Sequence, residues 1–274
     1  MTEWSPQSST AAPGWEANAE RIDESLRAVT DWLLQRADVR AGQVVLDVAA
    51  GPGGVGHRAA ELVGPQGRVV STDWAAAMVD LAKRIGASRG LSNVEYRVMD
   101  AHSMHLEDDA VDVVLCRHGF MLMVDPIEAL RQTRRVLKPG GNLAFSVFAS
   151  PERNPFTAVP QRVFIELGHI PEPSPGSPGV FAMSDASIIR AALADSGFAA
   201  EAIETIDLQG SMPDGDFIVD RIVEMNPMVG RVYRDLNPDA QTVARHALLD
   251  EFEAFQQADG SYVLPSQIWG VHAR

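Results

Sequence analysis

From Glu16 to about Ala37, apolar residues recur at helical spacing (Ile22, Leu26, Val29, Leu33, Leu34), which predicts one helix. A turn at Ala41-Gly42 leads into a short apolar run, VVLDVA (44–49), read as a strand. Similar runs return at RVVST (68–72), VEYRVM (94–99), VDVVLC (111–116) and NLAFSVF (142–148). VDVVLC is apolar almost throughout, as a strand covered on both faces should be. Between the runs lie helical patterns: one reaching Val63, one over 74–87, and one opened by Asp125-Pro126 and closed by Lys138-Pro139-Gly140-Gly141. Asp125 is a capping residue and Pro126 suits the first helical position. Strands alternating with helices at this spacing predict an α/β chain with a doubly wound, mostly parallel sheet.

The pattern breaks after Phe148. Residues 150–183 hold seven prolines, which suits an inserted lid and not a strand. A helix is expected from about Ser184 to Ser196, a strand at EAIETIDLQ (201–209), and helices near 213–225 and 238–257. The turn Asp259-Gly260 introduces a closing strand over 261–272, the seventh of the sheet. The chain thus divides into an N-terminal tail and helix (1–40), a ligand-binding core (41–148), a proline-rich lid (149–185), and C-terminal helices and strands of the same domain (186–274). Residues 1–14, rich in Ser, Thr, Pro and Ala, are expected to be mobile.

Charge narrows the partners. The 274 residues carry a net charge of −14. Residues 1–150 hold 15 basic and 19 acidic side chains, and residues 151–274 hold 8 and 18. Such a surface repels phosphate backbones and anionic lipid, so neither nucleic acid nor a membrane is an expected partner. One cysteine, Cys116, excludes an internal disulfide and any cysteine-only metal site, and no metal is expected. The N-terminus lacks a secretory pattern and no run of 18 apolar residues occurs, so a cytoplasmic protein is expected.

Candidate chemistry gathers at LDVAAGPGGVG (46–56), a strand-to-helix turn in which Gly51, Gly53 and Gly56 match G-x-G-x-x-G. Glycines allow close backbone approach to a ligand, and the helix N-terminus offers free N–H groups. Three carboxylates sharpen this weak signal. Asp47 lies inside the first strand, Asp73 ends the second and Asp100 ends the third. A doubly wound sheet binds its ligand across these neighbouring strand ends. Asp73 can accept both hydroxyls of a ribose, Asp100 a purine amino group, and Asp47 an ammonium.

LDVAAGPGGVG (46–56), STDWAAAMVDLA (71–82), RVMDAHSMHL (97–106), DVVLCRHGFMLM (112–123) and VLKPGGNLAFSVF (136–148) together resemble class I S-adenosylmethionine-dependent methyltransferases of the ubiquinone/menaquinone-biosynthesis-like group. DGSYVLPSQIWGVHAR (259–274) is similar to that group's closing strand. The resemblance covers residues 44–148 and implies the Rossmann-like methyltransferase fold. It departs at Ala49-Ala50-Gly51-Pro52-Gly53, where many relatives have Gly-Cys-Gly-Thr-Gly; Ala49 is small enough for the loop to close. The resemblance implies S-adenosylmethionine as cofactor and S-adenosylhomocysteine as product. Ala49, Gly51 and Gly53 then approach the methionine part with Asp47, and Asp73 takes the ribose. Trp74 and Met78 flank the adenine, Asp100 and the Ala101 N–H read its edge, and Arg117 and His118 lie beside the sulfonium.

Methyl transfer from a sulfonium needs positioning more than a catalytic motif. His118 is the one candidate base, for an acceptor that must lose a proton. Phe120, Met121, Met123, Phe148, Phe156, Phe164 and Phe181 are available to line an acceptor pocket, which suggests a small apolar or aromatic acceptor. Two rivals share the glycine loop: an NAD-dependent oxidoreductase and a non-catalytic S-adenosylmethionine-binding protein. Asp47, Asp100 and the lack of a Tyr-x-x-x-Lys pair argue against the first. The acceptor, the atom methylated and any homo-oligomer are left open.

Overall fold

The protein is described by a computed structural model covering residues 12–174 and 176–274. Most of the tail read as mobile, residues 1–11, lies outside the described residues. The helices are α1 (Ala12–Ser25), α2 (Arg27–Arg36), α3 (Gly54–Val63), α4 (Ala76–Ser88), α5 (Pro126–Val136), α6 (Pro155–Glu166), α7 (Ala186–Asp195), α8 (Gly215–Met225), α9 (Pro227–Asp235) and α10 (Pro238–Phe252). The strands are β1 (Val44–Val48), β2 (Arg68–Asp73), β3 (Val94–Val98), β4 (Val111–Arg117), β5 (Leu137–Phe148), β6 (Ala200–Met212) and β7 (Tyr262–Ala273). They form one seven-stranded sheet in the order β3-β2-β1-β4-β5-β7-β6. β1 to β5 run parallel, and β7 is antiparallel to β5.

Local chemistry sets the boundaries. Asp125, Asp185, Asp214, Asn226 and Asn237 each accept a hydrogen bond from a first-turn N–H of α5, α7, α8, α9 and α10. The single helix expected over 16–37 is two, broken at Leu26. Ser25 Oγ there donates to Ile22 O at 2.9 Å and competes for a helical carbonyl. Lys138-Pro139-Gly140-Gly141, read as a turn, lies inside β5. Leu137 pairs with Val111 and Asn142 with Val113, so the extra residues form a bulge. Gly141 permits it, because a Cβ there would stand 2.8 Å from Asp112 O.

Contacts divide the chain into two compact units that cut across the sequence-level division. The larger unit holds the described residues up to Ala149, together with Pro178–Ile206 and Ile268–Arg274. On one face of its sheet Leu46, Val48, Val114, Cys116, Phe145 and Val147 pack with Leu130 of α5 and Ile189 and Leu193 of α7. Phe120 and Phe145 meet edge to face and are fully buried; truncating either to Ala should cost about 3–5 kcal/mol. The opposite face carries Asp47, Arg117 and Ser146; Arg117 pairs in register with Ser146, and Asp47 with Ser71 and Leu115.

The smaller unit holds Ser150–Ser177 and Asp207–Gln267. Its core is helical, with Val159 and Phe164 of α6, Ile218 and Ile222 of α8, Val229 of α9, and Leu248 and Phe252 of α10. The proline-rich segment, expected as a lid of helix and loop, contains a packed helix, α6. Pro155 sits at its start, and Pro160 lies inside it. Among the described residues no helix is long and apolar enough to cross a membrane.

Candidate active site

The turn from β1 to α3 is built on left-handed backbone. Ala49, Gly51 and Gly53 have φ of 54°, 55° and 89°. A Cβ on Gly53 would stand 2.6 Å from the His57 ring, so this position is closed to other residues by conformation and by space. Nothing stands within 4 Å of a Cβ built on Gly51, which leaves an open face at the loop's tip. Ala50 N–H donates to Thr72 O at 2.9 Å and ties the loop to β2.

Two of the predicted carboxylates brace this loop. Asp73 Oδ2 accepts from Gly51 N at 3.0 Å and Oδ1 from Ala75 N at 2.9 Å, so one side chain joins the glycine loop to the start of α4. Burial raises its pKa against the pull of those N–H groups. An ionised carboxylate has about four acceptor positions, so Asp73 keeps capacity for two further donors. Asp47, 1% exposed, accepts from Gly56 N at 2.8 Å through Oδ2, while its buried Oδ1 has no partner among the described residues. Burial pushes the Asp47 carboxyl up to about 7, with the Arg117 charge opposing.

The other predicted residues are placed as follows. Trp74 is 41% exposed between β2 and α4, and Met78 is half-buried in the first turn of α4. Asp100 is exposed two residues beyond β3, and the hydrogen bond from His102 N–H holds its carboxyl below the ordinary value. Ala101 is half-buried against the core. Arg117 ends β4 and turns toward the N-terminal helices: it donates to Thr30 Oγ1 at 2.6 Å and pairs with Asp23 at 3.4 Å. Asp23 also pairs with Arg89, and a Cβ on Gly54 would collide with its carboxylate. A cavity of about 10 Å³, room for one water, is lined by Asp23, Pro52, Gly54, His57, Arg89 and Arg117 among others.

His118 has φ of 60°, an uncommon conformation for a non-glycine residue, and its N–H donates to Ser146 O at 2.9 Å. Its ring stacks on Phe148 with centroids 4.6 Å apart, and Phe148 lies against Phe181 at 6.1 Å. His118 Nε2 and Ser146 Oγ are both buried without a partner among the described residues. Burial, with the Arg117 charge second, lowers the His118 pKa to about 3, so its imidazole is neutral at pH 7.

Of the expected acceptor lining, Phe120 and Met121 belong to the sheet core, and Phe156 and Phe164 pack within the helical unit. Phe148, stacked on His118, and Phe181, which lies against Phe148, remain as half-buried residues of the larger unit, and Met123 packs half-buried on its core. Sequence reading missed Asp23, Thr30, Ser146, and the pair of buried His57 with half-buried Tyr96, whose Nε2 and hydroxyl lie 3.0 Å apart. No local motif marks these residues, because folding alone brings them to the site.

Residues 40–163 match the family model described as a methyltransferase domain. Over these residues, less than half of its length, the chain is similar to methyltransferases. A ubiquinone/menaquinone biosynthesis C-methyltransferase from Hahella chejuensis is 34% identical over 119 residues, 43% of this chain and 48% of that protein. The chain spans about half or less of the length of the curated relatives it matches. Among solved structures, a methyltransferase from Bacillus halodurans C-125, whose assignment is by inference, aligns with a TM-score of 0.59 at 21% identity, covering 89% of this chain and 97% of that one. The [4+2]-cyclase SpnF aligns at 0.56 and 21% identity, covering 90% and 79%. These structural likenesses establish the Rossmann-like methyltransferase fold of the domain.

Proposed function

We propose that the protein transfers a methyl group from S-adenosylmethionine to a small apolar or aromatic acceptor. The observation that carries this reading is the set of three carboxylates at consecutive strand ends around an open glycine loop. The chemistry of the site fits such a cofactor: the unpartnered, buried Oδ1 of Asp47 suits an ammonium, and the spare acceptor positions of Asp73 suit a ribose diol. The bare face at Gly51 leaves room for a ligand chain. When bound, the cofactor supplies an electrophilic sulfonium methyl.

The residues of this chain then act by holding and excluding. Asp73 fixes the ribose and, through Gly51, the loop conformation. Trp74 and Met78 cover the base and Asp100 reads its edge. Arg117, engaged by Thr30 and Asp23, acts through the N-terminal helices, and its charge eases the ionisation of Asp47. On the acceptor side, the Phe148–Phe181 pair supplies an aromatic wall. His118 offers it a neutral ring nitrogen, one able to orient an acceptor's polar group and too weakly basic to remove its proton at neutral pH.

The test is calorimetric titration with S-adenosylhomocysteine and with NAD, followed by transfer of labelled methyl to a panel of phenols, quinols and aliphatic hydroxyl compounds. Binding of S-adenosylhomocysteine and transfer to an aromatic acceptor is the expected result. NAD binding in its place would establish the oxidoreductase reading. Cofactor binding with no transfer would leave a binding protein, or another reaction on this fold, as SpnF exemplifies.

A further inference from the structure

Asp100 is held by its neighbour in an unusually complete way. Its Oδ1 accepts from the backbone N–H of His102 at 2.9 Å and lies 2.6 Å from His102 Nδ1. The other ring nitrogen, Nε2, faces the backbone N–H of Asp125 at 3.3 Å, at the cap of α5. A backbone N–H can only donate, so Nε2 is the lone-pair nitrogen and the ring proton sits on Nδ1, directed at Asp100. The loop itself is anchored: Ser103 N–H bonds to Asp100 O, and Arg135 reaches the carbonyls of Met104 and Leu106. With Oδ1 committed twice, Oδ2 has no hydrogen-bond partner among the described residues, and the side chain is 54% exposed.

We infer that His102 is a positioning residue for base recognition: by locking Asp100 through Nδ1 it presents Oδ2 alone, as a pure acceptor, to the 6-amino group of a bound adenine. This rests on the cofactor reading above. A carboxylate free to rotate would lose rotamer entropy on binding the base and could offer either oxygen. A carboxyl free to take up a proton could donate to a 6-oxo purine as readily as accept from a 6-amino one. The His102 bonds oppose both, so their consequence is discrimination between the two bases.

The experiment compares binding of S-adenosylhomocysteine with S-inosylhomocysteine, which carries a 6-oxo base. The wild-type protein should prefer the amino base by roughly 10- to 100-fold, the range of one hydrogen bond to a charged group. His102→Ala should reduce that preference about fivefold to tenfold, through weaker S-adenosylhomocysteine binding with S-inosylhomocysteine affinity held or improved. His102→Asn, whose side-chain amide can still donate to Oδ1, should restore most of it. Should His102→Ala fail to fold, His102→Phe removes the donor while keeping the ring's bulk. Equal loss of both ligands in His102→Ala or His102→Phe, or no loss of either, would reduce His102 to a structural role and overturn the inference. A wild-type protein that binds both ligands equally would overturn it at Asp100. A wild-type protein that binds neither would refute the cofactor reading beneath it.

Discussion

The turn after β1 and the turn after β4 sit at neighbouring strand ends, and each keeps a buried atom without a partner among the described residues, Asp47 Oδ1 at the first and His118 Nε2 at the second, yet they differ in how their backbone is held. After β1, backbone N–H groups of the glycine loop and the first turns of α3 and α4 are taken up by Asp47 and Asp73 at 2.8–3.0 Å. After β4, His118 Nε2 is buried without a partner among the described residues, on a ring stacked against Phe148, and Ser146 Oγ in the neighbouring strand β5 is likewise unpaired. A loop braced by its own carboxylates keeps its shape without a ligand. Unpaired buried atoms each cost about 1–3 kcal/mol and persist where something else is meant to meet them. Under the function proposed above, the first turn would hold one fixed molecule, and the second would carry a local cost that leaves room for the acceptor.

That contrast can be broken most forcefully at Asp73. Asp73→Ala removes the brace on Gly51 and Ala75 as well as the ribose acceptor, and S-adenosylhomocysteine affinity should fall about 100-fold or more. Unchanged affinity by titration, with the fold intact by circular dichroism, would place the ribose elsewhere. Asp47 provides a test of the charge held under the loop. Its folded pKa of about 7 lies above the ordinary carboxylate value, so the folded state binds the extra proton between pH 4 and 7. Stability from this group is complete at low pH and is lost as pH rises through about 7. Asp47→Asn should therefore flatten that decline and raise unfolding free energy at pH 8 by roughly 2–3 kcal/mol, read by urea titration. A variant as pH-sensitive as the wild type would show that Arg117 already neutralises Asp47.

On the opposite side smaller effects are expected, of the other sign or near zero. Ser146→Ala removes an unpaired hydroxyl and should stabilise the protein by about 1 kcal/mol, measurable as a higher urea midpoint. Destabilisation would mean that Ser146 Oγ is bonded in solution after all. His118→Ala should lower kcat less than about tenfold once an acceptor is known, because an imidazole with a pKa of about 3 is a poor base at pH 7. A loss of a hundredfold or more, with cofactor affinity unchanged, would make His118 the catalytic base.

The same contrast explains what could be read from sequence. The order of β1 to β5, the glycine loop, and Asp47 and Asp73 all belong to local patterns of strand, turn and helix start, and these are written contiguously. Asp23 and Thr30 reach Arg117 across 94 and 87 residues, and Ser146 meets His118 only through strand register; no local motif encodes either. His102 was legible as a residue but not as a partner, because its role depends on the Asp125 N–H 23 residues away. The bulge in β5 was hidden because Pro and Gly signal a turn whether or not the strand resumes. In the helical unit α8 and α10 were expected, and α9 was hidden because a proline at a helix start looks like a breaker until the apolar face behind it is paired.

The placement of β7 between β5 and β6 governs the order in which the sheet can be assembled. During vectorial synthesis β6 emerges before β7, but it has no edge to join until β7 has docked antiparallel along β5, from Leu143 to Phe148. Until then β5 is an exposed edge, open to pairing with another nascent chain. A stop codon or frameshift between Met212 and Tyr262 thus removes two strands from the sheet at once, although only one is missing from the chain.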